Sequence, residues 1–368
     1  MRILYVEPYY AGSHKQWIKA YQKYSCHQVD IISLPGKKWK WRIHGGAVTL
    51  AEQFIENNIK YDLIVASDFL NLPVFKSICG DKLKDTKIVI YFHENQITYP
   101  WSPNDQDLKL NRDLHYAYIN YTSSLVSDFN FFNSKYHMNS YLDGLYKYLK
   151  KMPDFNNFNS IDLIREKSNV LHLGCDLDKN KIKKTSNDIP IILWNHRWEY
   201  DKNPDLFFNT LFKIKDKKIN FKLIVVGECF KDYPGIFKQA KIKLKDNILH
   251  FGYCKTYNEY LSLLNQSDIL PITSIQDFFG VSIVEGINAQ LLPLLPNRLS
   301  YPELIDIREH SDIFYSKDKD FLNLLIYNIL HYKDLRKSTN LYKEIISRFD
   351  WSNMKKVYDE TFQKISIN

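Results

Sequence analysis

Asp277 and Glu285 are two carboxylates eight residues apart, in a segment that runs through Phe278, Phe279 and Gly280 and then an apolar stretch into Glu285. With 3.6 residues per turn, positions eight apart lie just over two turns apart on one side of a helix. The spacing predicts Asp277 at a helix start, beside backbone N–H groups without intrahelical partners and at the positive end of the macrodipole. Phosphates and the sugars attached to them are well received at such a place. A capped amphipathic helix with two solvated acids has the same pattern. Upstream, Arg197 and Lys202 stand five residues apart, between the apolar run Ile191-Ile-Leu-Trp194 and a helix start marked by Asn203 and Pro204. Asn is a good N-cap and Pro a natural first helical residue. The planar fork of Arg and the point charge of Lys, converging from one turn, suit a departing diphosphate. A plain basic surface turn reads the same way.

The N-terminal half adds three groups of candidates. Gly12 and Ser13 follow an apolar run and open a helix; Gly lets a backbone approach a diphosphate or an acceptor closely, and Ser13 equally serves as an N-cap. His14 and Lys15 fall in the first helical turn. Lys37, Lys38, Trp39, Lys40, Trp41 and Arg42 interleave cations with indoles. That composition offers phosphate contacts and stacking on unpaired bases; a membrane-surface loop, or a solvated basic loop with its tryptophans tucked inward, looks similar. His93, Glu94, Asn95 and Gln96 follow the apolar run Lys87–Phe92 at its carboxyl end. A lone His there is also a common hydrogen-bonded structural residue, and Glu94 could accept from an acceptor hydroxyl or cap the next element. His93 and Glu94 are adjacent and lack a third ligand at helical spacing, so no metal is expected.

Taken in order, the Arg197/Lys202 pair and the Asp277/Glu285 signature resemble the retaining nucleotide-sugar glycosyltransferases of the GT-B fold. The first signature carboxylate is Asp where that family usually has Glu, one methylene shorter. Three N-terminal segments, Gly12–Trp17, Lys38–Arg42 and His93–Gln96, are similar to the tRNA-queuosine mannosyltransferases. The resemblance covers nearly the whole chain and is weakest from about 145 to 190. It implies two Rossmann-like α/β domains with parallel sheets facing a central cleft. The expected extents are 1–185 for the acceptor domain, 186–345 for the nucleotide-sugar domain, and 346–368 for a C-terminal helix crossing back. It further implies mannose transfer from GDP-mannose to queuosine in a tRNA anticodon, without metal or other cofactor. By the same resemblance, Arg197 and Lys202 stabilise the leaving phosphate. Glu285 accepts from the ribose hydroxyls, and Asp277 with the backbone at Phe278, Phe279 and Gly280 holds sugar and phosphates. His93 contacts the donor sugar near the reacting centre. A GT-B enzyme with a lipid or polysaccharide acceptor is the nearest alternative, and an RNA-binding protein without catalysis another.

The elements that must position these residues are legible in outline. Runs 2–7, 29–34, 63–66 and 87–92 read as strands, with helical patterns at 13–24 and 47–58. Further on, 190–194, 222–227, 248–251, 268–272 and 292–295 read as strands again. Strands alternating with helices predict parallel α/β sheets, whose ligands bind outside the carboxyl ends of the strands. The region from about 105 to 150 reads as mainly helical; within it Met138, Tyr141, Leu142, Leu145, Tyr148 and Leu149 form a helical stripe, read as core-facing in preference to a membrane anchor. A linker is expected at 178–189. A length of 368 residues suits two domains. No apolar run approaches transmembrane length, and the N-terminus lacks a signal-peptide pattern. The five scattered cysteines fit a reducing, cytoplasmic setting. A net charge of +8 permits an RNA partner without requiring one.

Overall fold

The computed structural model describes residues 1–102, 105–110, 114–177, 187–229 and 233–367. The chain divides into two compact units, Met1–Gly174 with Trp351–Asn368, and Cys175–Asp350. The first holds β1 (Arg2–Tyr10), β2 (Gln28–Pro35), β3 (Leu63–Ser67), β4 (Lys87–Phe92), β5 (Phe129–Phe132) and β6 (Ser168–Val170), in the order β2-β1-β3-β4-β5-β6. The second holds β7 (Ile191–Trp194), β8 (Lys222–Val226), β9 (Ile248–Gly252), β10 (Ile269–Pro271), β11 (Leu292–Pro296) and β12 (Phe314–Tyr315), in the order β12-β11-β10-β7-β8-β9. Neighbouring strands are parallel in both sheets. Runs such as Ile3–Val6 and Ile88–Phe92 are buried along their length, as parallel strands covered by helices on both faces must be. In each unit the strand order reverses once, between β1 and β3 and between β7 and β10. The crevice outside the carboxyl ends at such a reversal is where α/β sheets bind ligands.

Two elements depart from the sequence reading. The stretch from 105 to 150 contains the helices Leu114–Val126 and Lys135–Leu149, but the strand β5 lies between them. The helix expected from 47 starts eight residues earlier and spans Trp39–Glu56, so Trp39, Lys40, Trp41 and Arg42 are helical and not a loop. Gly45 and Gly46 hide this, because glycine is a poor helix former. Both are there for close packing: a Cβ on Gly45 would come within 2.7 Å of the Trp41 ring, and one on Gly46 within 3.1 Å of Pro8. Of the expected linker at 178–189, positions 178–186 lie outside the described residues.

The Lys135–Leu149 helix buries Tyr141, Leu142, Leu145, Tyr148 and Leu149 in the core of the first unit, which accounts for its apolar stripe. No helix among the described residues is long and apolar enough to cross a membrane. The terminal helix Trp351–Ile367 packs along the helix Gly12–Tyr24. There the Trp17 indole N–H donates to the Tyr358 hydroxyl at 3.1 Å, and the Tyr21 hydroxyl to Asp359 at 2.8 Å. All five cysteines are free thiols.

Candidate functional site

In the second unit the chemistry gathers at the reversal between β7 and β10. The chain leaves β7 through Asn195, His196 and Arg197. It passes close under Gly227, where a Cβ would fall on the His196 carbonyl oxygen. Asn203 then takes a left-handed conformation (φ 51°) and caps the helix Pro204–Asp216, its side-chain oxygen accepting from the Leu206 N–H at 3.3 Å. The cap and the N1 proline are where the sequence put them.

The two cations of this turn have different surroundings. Arg197 keeps 45% of its side chain exposed, with Glu199 3.4 Å away. Lys202 is buried. Its ammonium donates to the Gln276 carbonyl at 2.8 Å and lies 3.3 Å from Asp201 and 3.6 Å from Asp277. Thr273 Oγ1 donates to the Lys202 carbonyl at 2.8 Å, tying the turn to the end of β10. A lysine so placed is a fixed positive charge on a floor of carboxylates.

Asp277 is not helical. The helix Val281–Asn288 begins four residues later, and Gly280, at φ 96°, is its left-handed cap. The helical-face argument for the carboxylate pair therefore fails, because Gly280 breaks the period between them. Asp277 instead projects from the preceding loop, where its Oδ2 accepts from the buried Tyr301 hydroxyl at 3.3 Å and faces Lys202. Phe278 and Phe279 are buried, and the Phe279 carbonyl accepts from the Ser300 hydroxyl at 3.0 Å. Glu285 sits on the helix, and its two oxygens accept from the Tyr257 hydroxyl at 3.2 Å and the Tyr260 hydroxyl at 3.0 Å. These phenols, three residues apart on the helix Tyr257–Gln266, were not anticipated; an i, i+3 aromatic pair reads from sequence as core.

Asn195 and His196 were also missed. Asn195 Nδ2 donates to the Ser282 carbonyl at 2.7 Å and to Tyr260 at 3.3 Å, joining β7 to both helices. The His196 imidazole is pushed down to about 3 by burial, with the Lys202 and Arg197 charges acting in the same direction. It is a neutral ring beside two cations. Their one legible signal is position, directly after a buried strand.

In the first unit, Gly12 (φ 49°) opens the helix Gly12–Tyr24 with Ala11 as an unbonded cap residue. Ser13 is therefore inside the first turn and not its N-cap. Gly12, Ser13 and Lys15 are exposed, whereas His14 is buried and donates from Nδ1 to Glu7 at 2.9 Å. Glu7 is wholly buried and also accepts from the Tyr9 N–H at 2.7 Å and the Ser67 hydroxyl at 3.0 Å. Burial alone would lower the His14 pKa; the charge and hydrogen bond of Glu7 outweigh it and raise it to about 9. The His93 ring lies 4.1 Å from that of His14 and is tilted 31° to it. Burial first, then the charges of His14 and His137, hold His93 well below its ordinary value. Asp68 accepts the His93 backbone N–H at 3.0 Å, and burial holds its carboxyl well above the usual range. Glu7 and Asp68 went unnoticed in the sequence, although each stands at or beside the carboxyl end of an apolar strand.

Of the residues after His93, Glu94 is half-buried and accepts from Gln96 Nε2 at 2.9 Å. Asn95 is wholly buried, and its oxygen accepts from the Ile97 and Thr98 N–H groups at 3.1 and 2.9 Å. Asn95 thus shapes the turn that presents its neighbours. In the basic-aromatic segment Lys37, Lys38 and Trp41 are exposed, Trp41 by 62%. Lys40 is held by Asp105 and Asp107 at 2.6 Å each, and Arg42 Nε donates to the Pro35 carbonyl at 3.1 Å. Trp39 packs with Phe69, Tyr116 and Trp101. Phe69 also contacts His14 edge-on at 5.5 Å, so this aromatic cluster continues into the histidine pair.

Residues 2–175 match the family described as tRNA-queuosine alpha-mannosyltransferase N-terminal, and residues 177–344 match glycosyl transferases group 1. A tRNA-queuosine alpha-mannosyltransferase of Drosophila melanogaster is 35% identical over 313 residues, covering 82% of this chain and 81% of the relative. Among solved structures, a glycosyltransferase of Rickettsia africae superposes with a TM-score of 0.68 at 18% identity, covering 100% of this chain and 99% of the other. Anabaena HepE in complex with UDP gives 0.66 at 16% identity, covering 99% and 100%. At such identities the structural likeness speaks for the fold, which is GT-B.

Proposed function

The chain belongs to the tRNA-queuosine alpha-mannosyltransferase family, and from that premise we propose how its residues divide the work. It is a glycosyltransferase that modifies queuosine in tRNA with mannose. In our reading the donor is GDP-mannose and the enzyme works in the cytoplasm. The acceptor oxygen forms a bond to the anomeric carbon while that carbon's bond to the β-phosphate oxygen breaks. The electron pair leaves with GDP, which takes up the acceptor's proton, and the new bond forms on the face the diphosphate vacates. Arg197 and Lys202 stabilise the charge that grows on the leaving phosphate. Asp277 and the backbone from Phe278 to Gly280 hold the sugar and phosphates, and Glu285 accepts from the ribose hydroxyls.

The observation that carries this reading is the setting of Lys202. Its charge is fixed by Asp201 and Asp277 before any substrate arrives. A charge held in place ahead of the reaction costs no reorganisation in the transition state, and its removal typically lowers turnover by about 10²–10³. The first unit receives the tRNA. Gly12 and Ser13 give a ligand close access to backbone, His93 meets the sugar, and Glu94, Lys15, Lys37, Lys38 and Trp41 face the acceptor.

The direct experiment is mass spectrometry of queuosine nucleosides from tRNA incubated with the protein and GDP-mannose, with UDP-glucose and UDP-galactose in parallel. A hexose gain with GDP-mannose alone supports the assignment; a gain with a UDP-sugar and none with GDP-mannose overturns the donor. Transfer should persist in EDTA, since protein cations serve the diphosphate. Loss of transfer that Mg²⁺ or Mn²⁺ restores would show that a metal takes that part.

A further inference from the structure

His93 leaves a physical question open. Its backbone is fixed at both ends, the N–H by Asp68 and the carbonyl by Asn133 Nδ2 at 2.9 Å. The residue is 8% exposed, yet neither ring nitrogen has a hydrogen-bond partner. Burying such nitrogens without partners is costly, which favours a partner supplied from outside the chain, a substrate group or a water. Beside this ring stands His14, and behind His14 the wholly buried Glu7 with its three donors. We propose that Glu7 and His14 are positioning residues for His93: the buried carboxylate fixes a cationic ring against it, so that His93 stays neutral and offers a substrate hydroxyl an acceptor nitrogen.

The argument is geometric first. A buried carboxylate needs a counter-charge, and the one cationic group within hydrogen-bond reach of Glu7 among the described residues is His14. A proton on His93 would then set two like charges with ring centres 4.1 Å apart in a largely buried site. The other ionisable groups around the pair are Asp68 after β3, Glu94 after β4 and His137 on the helix Lys135–Leu149. Burial raises the Asp68 carboxyl and lowers His137, both toward their uncharged forms, and Glu7 is the carboxylate that bonds His14. The rings of Trp17 and Tyr91, at 4.7 and 4.9 Å, confine His93 on its other sides. The charge state decides the chemistry. An imidazolium only donates, whereas a neutral imidazole donates from one nitrogen and accepts at the other. A sugar hydroxyl that must hand over part of its hydrogen needs the acceptor.

The inference rests on the reading of His93 as a substrate contact, and the test separates the two. In the first arm, ¹⁵N-histidine NMR follows the ring nitrogens of the free wild-type enzyme across pH. His14 should stay protonated well past neutrality and titrate near 9, with His93 neutral throughout. His14 titrating near its ordinary value overturns the proposal without recourse to any variant. In the second arm, Glu7→Gln keeps an oxygen for the Tyr9 and Ser67 donors but removes the charge. It should shift the His14 titration to lower pH and, by relieving the repulsion that keeps a proton off His93, move the acid limb of the kcat profile to higher pH. It should also lower kcat by roughly 10- to 100-fold, less than the loss of a directly acting group. A Glu7→Gln enzyme with the wild-type profile overturns the proposal. His93→Ala with full turnover would instead sink the reading of His93 itself.

Discussion

At the scale of residues, the two cations of the β7 turn separate catalysis from stability. Both belong to the same spacing in sequence, which suggests a polar turn where either could be removed without harm to the fold. The structure makes that true for Arg197 only. Arg197→Ala should lower turnover by roughly 10²–10³ and change the thermal midpoint little, because its pair with Glu199 is partly exposed. Lys202→Ala should show the same catalytic loss together with a fall in stability. It removes the charge beside the buried Asp201, and breaking a buried pair from one side costs about 3–5 kcal/mol. Measuring kcat and the melting midpoint of both variants decides it; a Lys202→Ala protein as stable as wild type would mean that the floor of carboxylates is not ionised. Residue types were legible where local rules act alone, as with Asn203 and Pro204. Asp277 was placed on a helix because a spacing of eight cannot reveal that Gly280 interrupts the turn. Glu7, Asp68 and His196 were invisible because burial, and not spacing, makes them special.

At the scale of elements, the apolar runs of β1, β3, β4 and β7 announced themselves because parallel strands are buried on both faces. Strands β5, β6 and β12 did not, being four, three and two residues long. Such segments hold too few residues to show a period, and the sheet recruits them by pairing. The Trp39–Glu56 helix shows the reverse case, a long element concealed by two glycines that tertiary packing requires. Its early start redistributes the basic-aromatic segment. Lys40 and Arg42 carry internal bonds, which leaves Lys37, Lys38 and Trp41 at the surface just ahead of and on the first turn. Lys37→Ala with Lys38→Ala should therefore weaken tRNA binding and reduce the slope of log K against log salt by about 0.7 per lost contact. Lys40→Ala should leave that slope near wild type and loosen the segment around Asp105 and Asp107. Equilibrium binding at several salt concentrations tests both, and an unchanged slope in the Lys37/Lys38 variant would remove this surface from the RNA path. On the helix Tyr257–Gln266, Tyr260→Phe should weaken GDP binding in calorimetry by about tenfold, since a positioning hydrogen bond to a charged group contributes roughly 1.5 kcal/mol or more. Equal GDP affinity in that variant would show that Glu285 needs no such support.

At the scale of the molecule, the buried ionisable groups give the two units different responses to pH. Four groups of the first unit matter, taking ordinary values near 6.5 for His and 3.8 for Asp. His93 and His137 have lowered values in the fold, so their contribution is present above 6.5 and is lost as pH falls. His14 and Asp68 have raised values, so theirs is lost as pH rises, that of His14 between about 6.5 and 9. Below 6.5 the unfolded chain binds protons on His93 and His137 that the fold refuses, which makes stability rise with pH, while the proton that Asp68 keeps works against that rise. Above 6.5 the His14 contribution is lost, because the fold holds a proton there up to about 9 that the unfolded chain has released. The first unit should weaken as pH rises from 6.5 to 9. In the second unit the buried histidine is His196, lowered to about 3, so that unit should weaken on the acid side and show no matching loss between 6.5 and 9. Hydrogen exchange read by mass spectrometry, corrected for the intrinsic rate at each pH, resolves peptides from the two units. Protection of β1, β3 and β4 should fall from pH 6.5 to 9 while that of β7, β8 and β10 holds. Parallel loss in both units would mean that the Glu7–His14 pair does not carry the charge assigned to it.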